Sequence, residues 1–297
     1  MNEYCGIIIL NKPVGVSSHR CVGMVRKALN MKKVGHTGTL DPDASGVLPI
    51  LAGPATRASD FLTMEDKRYR ATILLGTKTD TLDMAGEVIE KKPVNVTEEE
   101  IRTTIAEFVG NIQQVPPMYS AIQVNGQRLY NLARQGIEVE RKARDITIFS
   151  IDIEKINLPY VKIAVHCSKG TYIRTLASDI GDKLGCGGCI SELERTASGP
   201  FTLENAITPE ELATFAENGE AEKALLPLDS FFKNYEAIYL DKKRADRVKN
   251  GVPIYYRGKT QGEMYRVYDE NGSFIALSKA DTEDGRECLK LIKGFYR

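Results

Sequence analysis

No run of about 18 apolar residues occurs anywhere in this 297-residue sequence, so a membrane-spanning helix is excluded. The densest apolar stretches, 6–10 and 47–52, have the length of strands. The first residues, Met1-Asn2-Glu3-Tyr4-Cys5, show neither the basic segment nor the apolar core of a secretory leader, and a cytoplasmic protein is expected. Net charge is absent too, with 40 Lys+Arg against 40 Asp+Glu. The 42% hydrophobic and 27% charged content is that of an ordinary globular protein, which excludes a disordered or collagen-like chain. At this length two domains, or a large and a small one, are expected, with core enough to dispense with disulfides.

Nucleotide and metal signatures are missing as well. The first apolar stretch is followed by the turn Lys12-Pro13-Val14-Gly15 and not by a Rossmann glycine triplet, Gly170-Thr171 is no P-loop, and no serine elbow occurs. The stretch Thr79-Asp80-Thr81-Leu82-Asp83 has the wrong acid spacing for a calcium loop and no closing glutamate. Six cysteines are scattered, and the one suggestive spacing, Cys186-Gly187-Gly188-Cys189, lacks the second pair that a zinc site needs. Free thiols and no metal are expected.

What is present is unevenly charged. Residues 1–40 carry six basic groups against one acid, 203–236 eight acids against two bases, and 241–297 carry 13 Lys+Arg against 9 Asp+Glu. Such a distribution suits either a polyanionic partner touching both ends or ordinary solvated faces. Strands are expected at 6–10, 47–51, 69–75, 146–156 and 161–167, and helices at 18–30, 98–108, 129–134 and 172–184. Residues 31–46 read as loop throughout. An acidic helical connector, 203–236, leads to a basic helix at 241–249 and four short strands at 252–257, 263–269, 273–279 and 288–292.

Three stretches can carry chemistry. In 35–46, His36 and Asp41 sit among glycines between a helix and a buried strand, where backbone can approach a ligand; Asp41-Pro42 is equally good turn chemistry. Lys169-Gly170-Thr171-Tyr172-Ile173-Arg174 leads a strand end into a helix and offers either an anion pocket or an amphipathic surface pair. In Lys67-Arg68-Tyr69-Arg70 an aromatic flanked by bases suits a stacked nucleobase, or is an edge strand with interleaved charges.

Together, Leu10-Asn11-Lys12-Pro13, Gly35-His36-Thr37-Gly38-Thr39-Leu40-Asp41-Pro42, Lys67-Arg68-Tyr69-Arg70, Thr79-Asp80-Thr81, Met118-Tyr119-Ser120-Ala121 and the stretch from His166 to Arg174 resemble, in order, the motifs of the TruB family of tRNA pseudouridine-55 synthases. The resemblance spans about residues 6–200. It implies an α+β fold with a mixed, mostly antiparallel sheet flanked by helices, forming a catalytic domain at 1–235. It also implies an RNA-clamping insertion at about 108–145 and a small β-rich PUA-like module at 236–297. The implied reaction is isomerisation of uridine in the tRNA T-loop by base flipping, without cofactor or metal, by a monomer needing no protein partner.

By the same resemblance Asp41 is the catalytic aspartate, Arg174 pairs with it and keeps it charged, and Tyr69 stacks on the target base and serves in proton transfer. Tyr172 and Leu193 line the pocket, and His36 fills the space left by the flipped nucleotide. Lys12 and Lys169 count with the substrate-binding residues as supports for the site or the RNA backbone. The chain departs from the family at Leu193-Glu194-Arg195, where a second arginine is the common pattern. Alternatives are an RNA-binding or tRNA-folding protein in which modification is secondary, a guide-RNA-dependent ribosomal RNA enzyme, and an unrelated hydrolase built on Asp41 and His36.

Overall fold

Side chains of a strand alternate between faces, so the unbroken run Ile7-Ile8-Ile9-Leu10 has to be covered on both. In the computed structural model, whose described residues are 4–120, 122–124 and 126–296, this run lies in β1 (Gly6–Lys12). Ile8 and Leu10 belong to one buried cluster, Ile7 and Ile9 to another. Residues 1–3, which bear on the leader reading, and Ala121, in one of the resembling motifs, lie outside the described residues. The first helix, α1 (Ser18–Leu29), begins where Ser17 signals it: the Ser17 hydroxyl accepts from the Arg20 amide at 3.2 Å. Cys21, Val25 and Leu29 then bury one face of α1 against Ile8 and Leu10.

Segment 31–46, expected as loop throughout, contains β2 (Val34–His36) and the start of β3 (Ala44–Ala52). Three residues are too few to show a period, and β2 exists because it pairs antiparallel with the far end of β3, Val34 opposite Ala52. After the short α2 (Ser59–Thr63) come β4 (Lys67–Leu75), the hairpin β5 (Thr77–Thr79) and β6 (Val88–Lys91), and α3 (Glu98–Ala106). Thr97 and Glu100 cap α3 reciprocally. Next, β7 (Gly110–Gln114) forms a sheet edge. From there the chain leaves the sheet again, for the hairpin β8 (Gln123–Val124) and β9 (Gln127–Arg128) and for α4 (Leu129–Arg134). The excursion is therefore narrower than 108–145, since both ends of that range are strands of the main sheet.

The pair expected around residue 158 is β10 (Arg144–Asn157) with β11 (Tyr160–Cys167), antiparallel. The helix α5 (Ile173–Lys183) follows and packs Leu176 and Ile180 onto Ile73, Ile163 and Val165. Sequence periodicity gave no sign of the next element, β12 (Gly188–Ser198), an eleven-residue strand inside the sheet. Its Glu192 and Glu194 make it look like a charged surface segment. Those acids occupy one face, where Glu192 accepts from Thr72 and Glu194 pairs with Arg70 at 3.6 Å, while Arg195 turns inward.

The main sheet runs β1-β3-β12-β4-β11-β10-β7, with β2 on β3 and β13 (Phe201–Thr202) on β12. Only β12 with β3 is parallel; the other pairings are antiparallel. The acidic connector contributes α6 (Pro209–Glu217), which lays Leu212 against α1. A second sheet, β14-β16-β17-β18-β15, follows from β14 (Glu236–Tyr239), β15 (Ile254–Tyr255), β16 (Met264–Tyr268), β17 (Phe274–Glu283) and β18 (Arg286–Gly294), with the basic helix α7 (Lys242–Lys249) against it. This is the expected α+β architecture with a β-rich C-terminal part. The two sheets share a core in which Leu277 and Phe295 meet Ile7, Val47 and Phe232, and Arg57 donates to the carbonyls of Gly294 and Tyr296 at 3.1 and 2.7 Å.

Candidate active site

The glycine-rich segment between β2 and β3 is pinned from several directions. The Ser18 hydroxyl accepts from the Leu40 amide and donates to the Leu40 carbonyl, both at 2.8 Å. The ammonium of Lys12, fully buried, donates to Pro13, Val16 and Pro42 carbonyls at 2.9, 2.6 and 3.0 Å. The Gly15 amide reaches Pro42 as well, and Arg195 donates to Gly38 at 3.1 Å. A loop held at Gly38, Leu40 and Pro42 leaves Asp41 little freedom, which is what a reacting group requires.

Asp41 meets Arg174, in the first turn of α5, at 2.9 Å. Arg174 is buried, and its two terminal nitrogens donate also to Asp83 at 3.2 Å, to the Thr81 carbonyl at 2.9 Å and to the Tyr119 carbonyl at 2.7 Å. A guanidinium between two carboxylates is a charge-assisted network in which neither acid stands alone. Burial pushes the Asp41 carboxyl above the ordinary aspartate value; Arg174 pulls against it, and Asp83 and Asp43 push further up. Burial is the larger effect on Asp41, and Arg174 is the interaction that opposes it in favour of the charged carboxylate.

A cavity of about 520 Å³ opens above this pair, within the usual range for small-ligand sites. Asp41, Tyr69, Tyr172, Arg174, Leu193 and Lys169 all line it. Tyr69 and Leu193 arrive from β4 and β12, and Tyr172 from the cap of α5, where the buried Gln114 side chain holds both its amide (2.8 Å) and its carbonyl (3.1 Å). Burial raises the phenols of Tyr69 and Tyr172. Lys169 stands exposed on the rim, beside the Met64 sulfur.

Lys12 and His36 stand off this cavity's wall. Lys12 is sealed beneath the loop, where its ammonium ties the turn after β1 to Pro42; a buried ammonium stays there because three carbonyls satisfy it. His36 lines a neighbouring groove of about 670 Å³ together with Arg128, Tyr130 and Arg134, and the two cavities meet at Asp41 and Arg174. Burial, reinforced by Arg195 and His19, lowers the His36 imidazole, and its Nδ1 accepts from the Gly38 amide at 3.4 Å. In the groove the Tyr130 ring lies between the guanidinium groups of Arg128 and Arg134, 5.9 and 5.7 Å from its centroid.

The chain matches two sequence profiles: TruB family pseudouridylate synthase (N terminal domain) over residues 26–173, and tRNA pseudouridylate synthase B C-terminal domain over 174–234. It is 50% identical to a tRNA pseudouridine synthase B of Alkaliphilus oremlandii, covering 97% of each chain. It is 44% identical to one of Clostridium tetani, covering 97% of this chain and 99% of the relative. It belongs to the TruB family. Among solved structures it resembles a chain of a Cbf5-Nop10-Gar1 complex, with TM-score 0.72, 29% identity and coverage of 98% of this chain and 85% of that one. A chain of an H/ACA RNP bound to a substrate RNA containing 2'-deoxyuridine matches with the same TM-score and coverage at 27% identity. TruB family enzymes are isomerases, so the pocket belongs to a pseudouridine synthase. Sequence reasoning missed three side chains that hold the site: Asp83 on Arg174, Arg195 on Gly38 and Gln114 on Tyr172. Asp83 had a signal, since it closes the Thr79-Asp80-Thr81 motif; Gln114 and the inward turn of Arg195 had none.

Proposed function

We propose that the protein converts uridine to pseudouridine at position 55 in the T-loop of tRNA, with Asp41 as the catalytic carboxylate and Arg174 and Tyr69 beside it. The observation that carries this reading is the Asp41–Arg174 pair at 2.9 Å on the wall of a one-nucleotide-sized cavity whose other walls hold two tyrosines. The target uridine has to leave the folded loop to reach it. Once inside, its base stacks on Tyr69, with Tyr172 and Leu193 closing the pocket and Lys169 at the rim.

The N1–C1′ bond then breaks with its electron pair going to the uracil ring, while Asp41 either attacks C1′ or takes the 2′ proton. The base turns and C5 bonds to C1′ as the Asp41 ester opens or the 2′ proton returns; the C5 proton leaves to water and N1 takes up a proton in its place. Product and substrate contain the same atoms, so the reaction consumes no co-substrate. His36 occupies the space that the flipped nucleotide vacates, a role for a flat neutral ring. Arg128, Tyr130 and Arg134 receive the T-arm through phosphate contacts and stacking. The reading includes residues 1–235 as the catalytic unit, 236–297 as a PUA-like RNA-binding module, and a cytoplasmic monomer. A guide-RNA-dependent activity has less support, since the relatives named tRNA pseudouridine synthase B match at 44 and 50% identity and the Cbf5 and H/ACA chains at 29 and 27%.

The test is release of tritium from a tRNA transcript labelled at uridine C5. One tritium per tRNA, mapped to the T-loop and lost in Asp41→Asn, is the expected result. Tight salt-sensitive binding without release would instead favour an RNA-binding protein.

A further inference from the structure

Arg195 is 2% exposed and heads the fully buried side chains by size. Burying a guanidinium is costly unless it is paired and hydrogen-bonded. Yet no carboxylate comes within ion-pair distance of Arg195 among the described residues, and the basic side chains of Lys12, Lys67 and His36 all feel its charge. Its donors go elsewhere: Nε to the Val47 carbonyl at 2.7 Å and Nη2 to the Gly38 carbonyl at 3.1 Å, with the guanidinium beside Tyr69 in the wall of the cavity that both side chains line.

The strand register explains how one side chain reaches all three. Lys12 of β1 sits opposite Gly46 of β3, Gly46 opposite Arg195 of β12, and Arg195 opposite Tyr69 of β4, a single row across the sheet. Gly46 permits the row to close, because a Cβ there would stand 2.2 Å from the Arg195 carbonyl oxygen. A guanidinium has only donors, so toward Tyr69 it can act only on the phenol oxygen, and both side chains line the cavity.

We propose that Arg195 is a positioning residue that ties the Asp41 loop, through Gly38, to the base-stacking ring of Tyr69, fixing the two at one separation for the reaction. The inference rests on the proposed role of Tyr69. It assigns Arg195 a holding role and no phosphate contact: the departure at Glu194 leaves β12 one base poorer on the Arg70 side, and Arg195, almost wholly buried, reaches only the wall of the cavity. Only a planar fork does this work; a lysine carries the charge but cannot span a carbonyl on β3, one in the loop and a phenol on β4.

The experiment measures single-turnover tritium release and tRNA binding for Arg195→Lys, Tyr69→Phe and the double variant. Arg195→Lys is expected to slow release about 10- to 100-fold, the worth of a lost charge-assisted hydrogen bond, with tRNA affinity and its salt slope unchanged. In the Tyr69→Phe background the same substitution is expected to cost less than threefold, since the handle is gone. Multiplying losses, or weakened binding with a salt slope smaller by about one, would overturn the proposal. A folding-independent arm places 3-fluorotyrosine at position 69 and follows its fluorine resonance with pH. Burial first, and then Cys167 and Asp41, push the titration of this phenol up, while Arg195 opposes them. Arg195→Gln is expected to move the titration midpoint up by at least about one pH unit; an unmoved midpoint overturns the contact. That arm needs no turnover, so absence of release by the unaltered protein would sink the assigned reaction without touching this inference.

Discussion

Arg174 stands between Asp41 and Asp83, 2.9 Å from one carboxylate and 3.2 Å from the other. The arginine opens α5, Asp41 belongs to the loop before β3, and Asp83 lies in the tip joining β5 to β6. Three segments therefore converge on one guanidinium, and removing it leaves two acids facing each other. Arg174→Ala is expected to destabilise the fold by roughly 3 kcal/mol and to lower tritium release more than Asp83→Asn does, because Asp83→Asn leaves the Asp41 pair intact. Near-normal release by Arg174→Ala would contradict the arrangement.

Asp41→Asn separates charge from shape. Burial holds the Asp41 carboxyl above its ordinary value, so the folded state binds its proton more tightly than the unfolded state does. For an acid shifted upward, stability is greatest below the unfolded value and falls as pH rises through the folded one. Asp41→Asn removes that cost. Its Tm at pH 7 is expected to equal or exceed that of the unaltered protein, with no detectable release and with tRNA binding retained or tightened. A parallel loss of binding would make Asp41 structural.

His36 titrates in the opposite sense. Its imidazole is held below 6.5 by burial first, then by Arg195 and His19. Stability is then complete above about 6.5 and declines as pH falls, because the unfolded chain takes up the proton more readily. His36→Phe keeps a flat ring and removes the titration. Its Tm is expected to drop less than that of the unaltered protein between pH 7 and about 5.5, with release kept within about tenfold; His36→Ala is expected to lose more. Equal Tm losses with acid would refute the buried neutral imidazole.

Gly46→Ala tests the close approach of β3 to β12. The new Cβ meets the Arg195 backbone at 2.2 to 2.9 Å, and the residue holds φ near +105°, a conformation costly for any side chain. Destabilisation of roughly 3 kcal/mol or more, read by thermal melting, is expected along with lost turnover. An unchanged Tm would mean that the strands can part without penalty.

Much of this protein was legible along the chain. Caps and apolar spacing placed α1, α3, α4, α5 and α7, and the run at Ile7 marked a strand covered on both faces. The motif around His36 and Asp41 carried the family, and through it the pairing with Arg174. These are local signals: a cap bonds within one turn, and a motif is contiguous. Other features depended on distant partners. β12 went unread because an inward-facing arginine breaks its apolar alternation, and an arginine is buried only where carbonyls from other segments receive it. β2 has no pattern of its own and is a strand solely because β3 offers unpaired backbone. Lys12 was read as a support for the site or the RNA backbone, and the carbonyls of Pro13, Val16 and Pro42 enclose it. The sequence by itself determined the chemistry, because the reacting types stand in recognisable order. Tertiary structure alone decided which charges face a substrate and which are consumed holding the site, since the cost of burying a charge depends on partners that only the folded chain brings within reach.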